Sequence, residues 1–235
     1  MPSTSCNDRS LRVFYGFGQV AALARFSRIV LQPGHHNHAQ LAQLGAAGTE
    51  RLAYLSIGED TGPSAPWQWS SVNPHWGGHY VDVGHPAWRR KVLARAERAL
   101  EAGFDGLFLD TLDPPVEHLE GMDARVGLVA ALRDLAGARY VMANRGFDLL
   151  EGIAPLVDGF LFEAFSTTWE DGYRALAPRE LLFNVERLHV LRGTGCEVYA
   201  LDYAVTESLS AFACARGATH RLPTHVSNRE LTLVD

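Results

Sequence analysis

Cysteine is scarce in this 235-residue chain. Cys6, Cys196 and Cys214 are odd in number, widely spaced and without a CxxC pair, which argues against a disulfide framework or a zinc ribbon. Cys196 and Cys214 lie in apolar surroundings, where a cysteine ordinarily serves as a small core residue. Long apolar runs are missing as well. No segment approaches the length of a membrane span, and the opening MPSTSCNDRS lacks the apolar centre of a signal peptide. A soluble chain with no membrane partner is expected, and the lack of a leader points to the cytoplasm. Positive charge is also in short supply: Lys+Arg 21 against Asp+Glu 27 leaves a net charge of -6, with the basic residues scattered singly. That speaks against nucleic acid as a partner. No GxGxxG follows the first apolar run, YGFGQ being a poor match, so a dinucleotide fold has no fingerprint here and no cofactor is implied.

What is present is a cadence of about 25 to 30 residues: a short apolar run, a polar or Gly-containing loop, then an Ala/Leu-rich amphipathic stretch. Strand candidates are Val13–Gly18, Arg28–Gln32, Leu52–Ile57, His79–Val83, Phe104–Leu109, Tyr140–Ala143, Gly159–Phe162, Val198–Leu201 and Arg221–His225. No helix separates Leu52–Ile57 from His79–Val83, and the intervening Pro63–Gly78 is rich in Pro, Gly and Trp. His79–Val83 therefore belongs to a long loop after the third strand, and eight strands remain.

Helices are expected at Gln19–Phe26, His38–Ala47, Pro86–Ala102, Met122–Leu135, Phe147–Leu156, Pro178–Arg192 and Thr206–Arg216. Pro86 suits a first helical turn and Gly103 an exit. Runs such as LAYLSI and GLFL are apolar at consecutive positions, as a parallel sheet covered on both faces requires. The reading is an α/β chain, residues 1–235 forming one compact (β/α)8 TIM barrel. Residues 1–10 would be a flexible N-terminal segment. Only Asn228–Asp235 follows the last strand, which shortens the final helix and predicts imperfect closure.

In a parallel barrel the chemistry gathers at the carboxyl ends of the strands. Here those ends carry Tyr15, Tyr54 with Ser56, Glu59 and Asp60, then Asp110, Asn144, Glu163, and Asp202 with Tyr203. An ionised carboxylate ending a run such as Leu107-Phe108-Leu109 must face solvent or a buried partner. Several such groups at strand ends describe a polar cup. Two carboxylates astride a glycosidic oxygen are what sugar cleavage needs. Asp110 and Glu163 make the best pair, since each ends an analogous segment, DGLFLD and DGFLFE. The insertion Gly62–Gly78 holds Trp67, Trp69 and Trp76, a density that suits a wall for sugar rings, or else packing back onto the barrel; Trp169 is a further candidate for such a wall.

The segments YGFG, LAYLSIGE, VDVGHPAWRR, GFDGLFLDTLD, VMANRGF, DGFLFEAF and VYALDYA, running in that order from Tyr15 to Ala204, resemble the endo-α-1,4-polygalactosaminidase family, glycoside hydrolase family 114, and the related Pel polysaccharide hydrolase domain. The resemblance implies a (β/α)8 fold and cleavage of α-1,4-linked galactosamine or N-acetylgalactosamine polysaccharide. It implies catalytic acids at Asp110 and Glu163, to which we assign the roles of nucleophile and general acid/base respectively. Tyr15, Glu59, Asn144, Asp202 and Tyr203 would line the sugar subsite; beside what the resemblance implies, Tyr54, Ser56, Trp67, Trp69 and Trp169 are further substrate-binding candidates. Members of this type are usually exported, which sets the resemblance against the missing leader.

Two other readings stand beside it. One is a barrel that binds polysaccharide without cutting it. The other is a metal-dependent hydrolase using His35, His36 and His38 in the loop Gly34-His35-His36-Asn37-His38. Ligands packed into one loop rarely reproduce a metallohydrolase geometry, so a histidine-rich loop without metal is the expectation.

Overall fold

Eight parallel strands form one sheet in the computed structural model, which describes residues 10–115 and 121–234. They are β1 (Leu11–Phe14), β2 (Arg28–Leu31), β3 (Glu50–Ser56), β4 (Gly106–Asp110), β5 (Tyr140–Asn144), β6 (Gly159–Glu163), β7 (Glu197–Tyr203) and β8 (Thr224–Ser227), hydrogen-bonded in that order. The helices between them are α1 (Val20–Leu23), α2 (His38–Ala46), α3 (Pro86–Glu101), α4 (Met122–Ala136), α5 (Leu150–Ile153), α6 (Pro178–Gly193) and α7 (Glu207–Thr219). The fold is a (β/α)8 barrel, nearly closed, as the cadence predicts. The expected flexible N-terminal segment falls largely on residues 1–9, which lie outside the described residues.

Local chemistry sets the helix starts. Asn37 caps α2 by accepting from Gln40 N–H, and the Gln40 side chain accepts in return from Asn37 N–H. That reciprocal pair satisfies two amides the helix cannot. His85 caps α3 ahead of Pro86. The expected helix at 147–156 is instead a short α-turn between two 3-10 turns.

Strand alternation divides the apolar residues between two cores. Leu11, Val13, Val30, Leu52, Phe108, Met142, Leu161, Leu201 and Tyr203 fill the barrel interior. Their alternates, among them Ile29, Leu31, Ala53, Leu107, Leu109, Val141 and Phe160, pack against the helices with Trp88, Leu128 and Leu132. At the amino ends of the strands Arg28 stacks on Tyr140 and binds Glu50 and Glu197, a charged plug at the face where barrels keep their stability residues.

The seam between β1 and β8 has no backbone ladder. His225 Nδ1 accepts from Val13 N–H at 3.1 Å, and the terminal segment follows the seam, Tyr15 N–H donating to Leu231 O at 2.8 Å and an Arg12 N–H to Val234 O at 2.9 Å. Leu231 completes the interior core, so this extended segment does the covering that a final helix would. Cys196 is a free thiol, whereas Cys214 is disulfide-bonded, which corrects both the expectation of no disulfide and the reading of Cys214 as a small core residue.

His79–Val81 is a strand, but of a separate antiparallel patch with Glu59–Asp60 and Gln68–Val72. Buried Asp60 anchors that patch to the barrel wall, receiving Lys91 Nζ at 2.8 Å and Trp67 Nε1 at 2.8 Å.

Candidate active site

Asp110, Asn144 and Glu163 end three consecutive strands, β4 to β6. Each is two residues beyond an interior core residue, Phe108, Met142 and Leu161, so alternation aims all three side chains up the barrel axis. The residue after each of them has a left-handed backbone: Thr111 at φ 61°, Arg145 at φ 56° and Ala164 at φ 54°. For a residue with a Cβ this costs about 1–3 kcal/mol, and for β-branched Thr111 it is a true outlier. Three such turns fall at equivalent places, each directly after one of these side chains. Thr111 is held there by its hydroxyl, which donates to Asp110 O at 2.6 Å and accepts from Gly58 N–H at 2.7 Å.

The hydrogen bonds of the two carboxylates mirror each other. Asn144 Nδ2 donates to Asp110 Oδ1 at 2.8 Å and to Glu163 Oε2 at 2.7 Å. The other oxygens are met by tyrosines, Tyr54 to Asp110 Oδ2 at 2.9 Å and Tyr203 to Glu163 Oε1 at 2.5 Å. The carboxyl oxygens that face Asn144 accept, so an amide nitrogen carrying two hydrogens between them is the consistent assignment. Because both oxygens bond one nitrogen, they are no farther apart than the sum of the two distances, 5.5 Å.

Electrostatics follow from that crowding. Burial, and then the charge of Glu163, push the Asp110 carboxyl above its ordinary range, against the opposing bonds from Asn144, Thr111 and Tyr54. Burial and the nearby carboxylates also hold the phenols of Tyr15, Tyr54 and Tyr203 well above theirs, so all three remain protonated donors. Glu59 is raised by burial, opposed by its bond from Asn73, with Asp110 adding to the rise.

The sequence-derived site residues divide cleanly. Tyr15, Tyr54, Ser56, Glu59, Asn144 and Tyr203 line the cavity that holds Asp110 and Glu163. Asp202 does not. It is 0 % exposed and accepts from Ser166 N–H at 2.6 Å and Thr167 N–H at 2.8 Å, bracing the loop after β6 from behind. Its interior-facing neighbours Leu201 and Tyr203 leave position 202 on the outer face of β7. Trp67 packs on Trp88 and His85 beneath the insertion, and Trp69 lies on the patch away from the cavity. Trp169 stands one layer back, edge-on to Tyr203. The tryptophan that reaches the cavity is Trp76. Thr111, also in the lining, escapes the sequence reading because its role comes from a backbone turn that composition does not reveal.

Two side chains of the histidine loop hold backbone carbonyls. His35 Nδ1 lies 2.8 Å from Tyr15 O, and His36 Nε2 2.9 Å from Gly18 O. A carbonyl can only accept, so both nitrogens carry hydrogen and clamp the loop after β1. Among the described residues no group of three or more His, Cys, Asp or Glu is placed to hold a metal.

This geometry coincides with a family signature. The sequence profile of glycoside-hydrolase family GH114 matches residues 19–234. An uncharacterized protein of Deinococcus radiodurans is 27% identical over 251 residues, covering 92% of this chain and 79% of that protein. Among solved structures, the glycoside hydrolase domain of PelA from Pseudomonas aeruginosa superposes with a TM-score of 0.87 at 27% identity, covering 95% of this chain and 96% of that one. Aspergillus fumigatus Ega3, solved in complex with galactosamine, shares the fold with a TM-score of 0.75 at 16% identity, covering 95% and 91%.

Proposed function

The chain belongs to glycoside-hydrolase family GH114, and from that premise we propose that it cleaves α-1,4-linked galactosamine or N-acetylgalactosamine polysaccharide with retention of anomeric configuration. It is a glycoside hydrolase by family and by its PelA-like barrel. The substrate class is drawn from the galactosamine bound by the structurally similar Ega3 and from the family's name-giving activity.

The observation that carries the mechanism is the shared Asn144 donor. Carboxyl groups about 5–5.5 Å apart suit a double displacement, whereas inversion needs about 6.5–9.5 Å to admit a water. The 5.5 Å ceiling set by Asn144 favours the first. Mutual repulsion leaves this close pair one proton to share; with that proton on Glu163, Asp110 attacks the anomeric carbon as the glycosidic C–O bond breaks, and Glu163 delivers the proton to the departing oxygen. Water then displaces Asp110 from the glycosyl-enzyme, giving its proton to Glu163. Tyr54 and Tyr203 orient the two carboxylates throughout, each through one hydrogen bond.

The test is reducing-end release from partially deacetylated α-1,4-polygalactosamine, with the anomeric form of the first product followed by NMR. Release of the α-anomer is expected from the wild type, and its loss from Asp110→Asn and Glu163→Gln. Azide separates the roles: rescue of Asp110→Ala should yield the β-glycosyl azide and rescue of Glu163→Ala the α-product. Full activity in both variants, or a first product of β configuration, overturns the assignment.

A further inference from the structure

The insertion after β3 does not stay on its own side of the barrel. Strands β3, β6 and β8 stand well apart around the sheet, yet Trp76 packs edge-on against Trp169 of the loop after β6, ring centroids 5.5 Å apart. The carbonyl of neighbouring His75 accepts from Arg229, just after β8, at 2.6 Å. The Arg229 guanidinium stacks on both indoles, 4.7 Å from Trp76 and 4.3 Å from Trp169. The turn is stiffened from within as well, Asn73 Oδ1 accepting from the N–H groups of His75 and Trp76 while Asn73 Nδ2 donates to Glu59. Trp76 is nevertheless 53% exposed and lines the cavity of the two carboxylates.

An indole of that size left half in water, while three elements converge to fix its angle, is an arrangement without benefit to the core. Its free surface is apolar and flat. One side of a galacto-configured pyranose is apolar too, because the axial O4 leaves the hydrogens on C3, C4 and C5 as a continuous patch, and such a patch packs against a π face. Resting on the glycan-cleaving reading above, we propose that Trp76 is the stacking platform for a galactosamine-type ring of the polysaccharide, on the Glu163 side of the mouth, and that Arg229 is its positioning residue. The route to Glu163 is short: Trp76 touches Trp169, Trp169 touches Tyr203, and Tyr203 donates to Glu163. A cation between two indoles orients both rings, so Arg229 acts on the sugar through Trp76.

Steady-state kinetics on α-1,4-galactosamine oligosaccharides of defined length, with tryptophan fluorescence on adding the same oligosaccharides to Glu163→Gln, decide the matter. Trp76→Ala should raise KM about tenfold with kcat within about threefold, the sign of lost binding common to ground and transition states. It should also abolish the fluorescence response. Trp76→Tyr should regain most of the affinity. Arg229→Ala should raise KM less than Trp76→Ala does, and Arg229→Lys should recover part of the loss. Cleavage by Trp76→Ala at wild-type KM with an unchanged fluorescence response overturns the platform alone. A wild type that neither cuts nor binds these oligosaccharides overturns the substrate reading, and the platform with it.

Discussion

Asp110 and Glu163 are joined through one nitrogen, the Nδ2 of Asn144, which donates to both at 2.8 Å and 2.7 Å. Two buried acids that close repel when both are ionised. A neutral amide between them lowers that cost and sets their spacing, so Asn144 acts here as a positioning residue for the pair.

Removing the amide should therefore loosen the pair while leaving the sugar contacts of the mouth in place. Asn144→Ala is expected to lower kcat about 100-fold, the scale on which a misplacement of about 1 Å acts, with KM nearly constant. Steady-state kinetics on the polysaccharide check this, and a change confined to KM would refute it.

The charge of Glu163 is one of the two causes that raise the Asp110 carboxyl, after burial. In Glu163→Gln that charge is gone, and Asp110 should titrate at lower pH than in the wild type. Carbon-detected NMR of the labelled carboxyl measures the shift directly. An unchanged or higher midpoint would show that burial alone sets it.

His225 is buried against β1, and its imidazole is held well below its ordinary range by burial and then by the Arg12 charge. The folded state therefore binds fewer protons than the unfolded one as pH drops, so stability is lost on acidification below about 6.5, the unfolded value. Urea unfolding at pH 7.5 and at pH 5 should show this loss. His225→Asn, which does not titrate there, should flatten the slope even if it is less stable at every pH.

Asp202 acts with the opposite sign. Burial raises it to about 6, against the bonds from Ser166 and Thr167, so the folded state holds a proton that the unfolded state has released. Its contribution is full below about 4 and is lost as pH rises through about 6. Asp202→Asn keeps an acceptor for the two amides and removes the buried charge. It should match or exceed the wild type at pH 7.5, by up to about 3 kcal/mol, in chemical denaturation. A large destabilisation would show that the charge itself is needed.

Gly58 has no room for a side chain, since a Cβ would lie 2.2 Å from the carbonyl oxygen of Thr111. Gly58→Ala must push the β4 exit aside, and a loss of about 1–3 kcal/mol is expected. Activity should fall further than stability does, because Thr111 follows Asp110 directly. Thermal unfolding and kcat measured on one preparation separate the two effects.

The barrel itself was legible in the chain because strand, loop and helix recur at a regular interval and most of the strands are apolar at consecutive positions. Asp110 and Glu163 were legible because a charged residue closing such a run has few places to go. Strand alternation could even have set Asp202 aside: Leu201 and Tyr203 face the interior, so position 202 cannot. The tertiary structure alone decided the rest. Which tryptophan reaches the cavity depends on how an insertion folds back on Asp60 and crosses to Arg229, contacts 31 residues and more than 150 residues apart in sequence. The shared amide of Asn144, the left-handed turns after three strand ends, and the closing of the seam by His225 and the terminal segment depend likewise on distances between separate strands. Local composition determines which residues seek burial and in what rhythm; only the closed sheet brings their polar ends within hydrogen-bonding range.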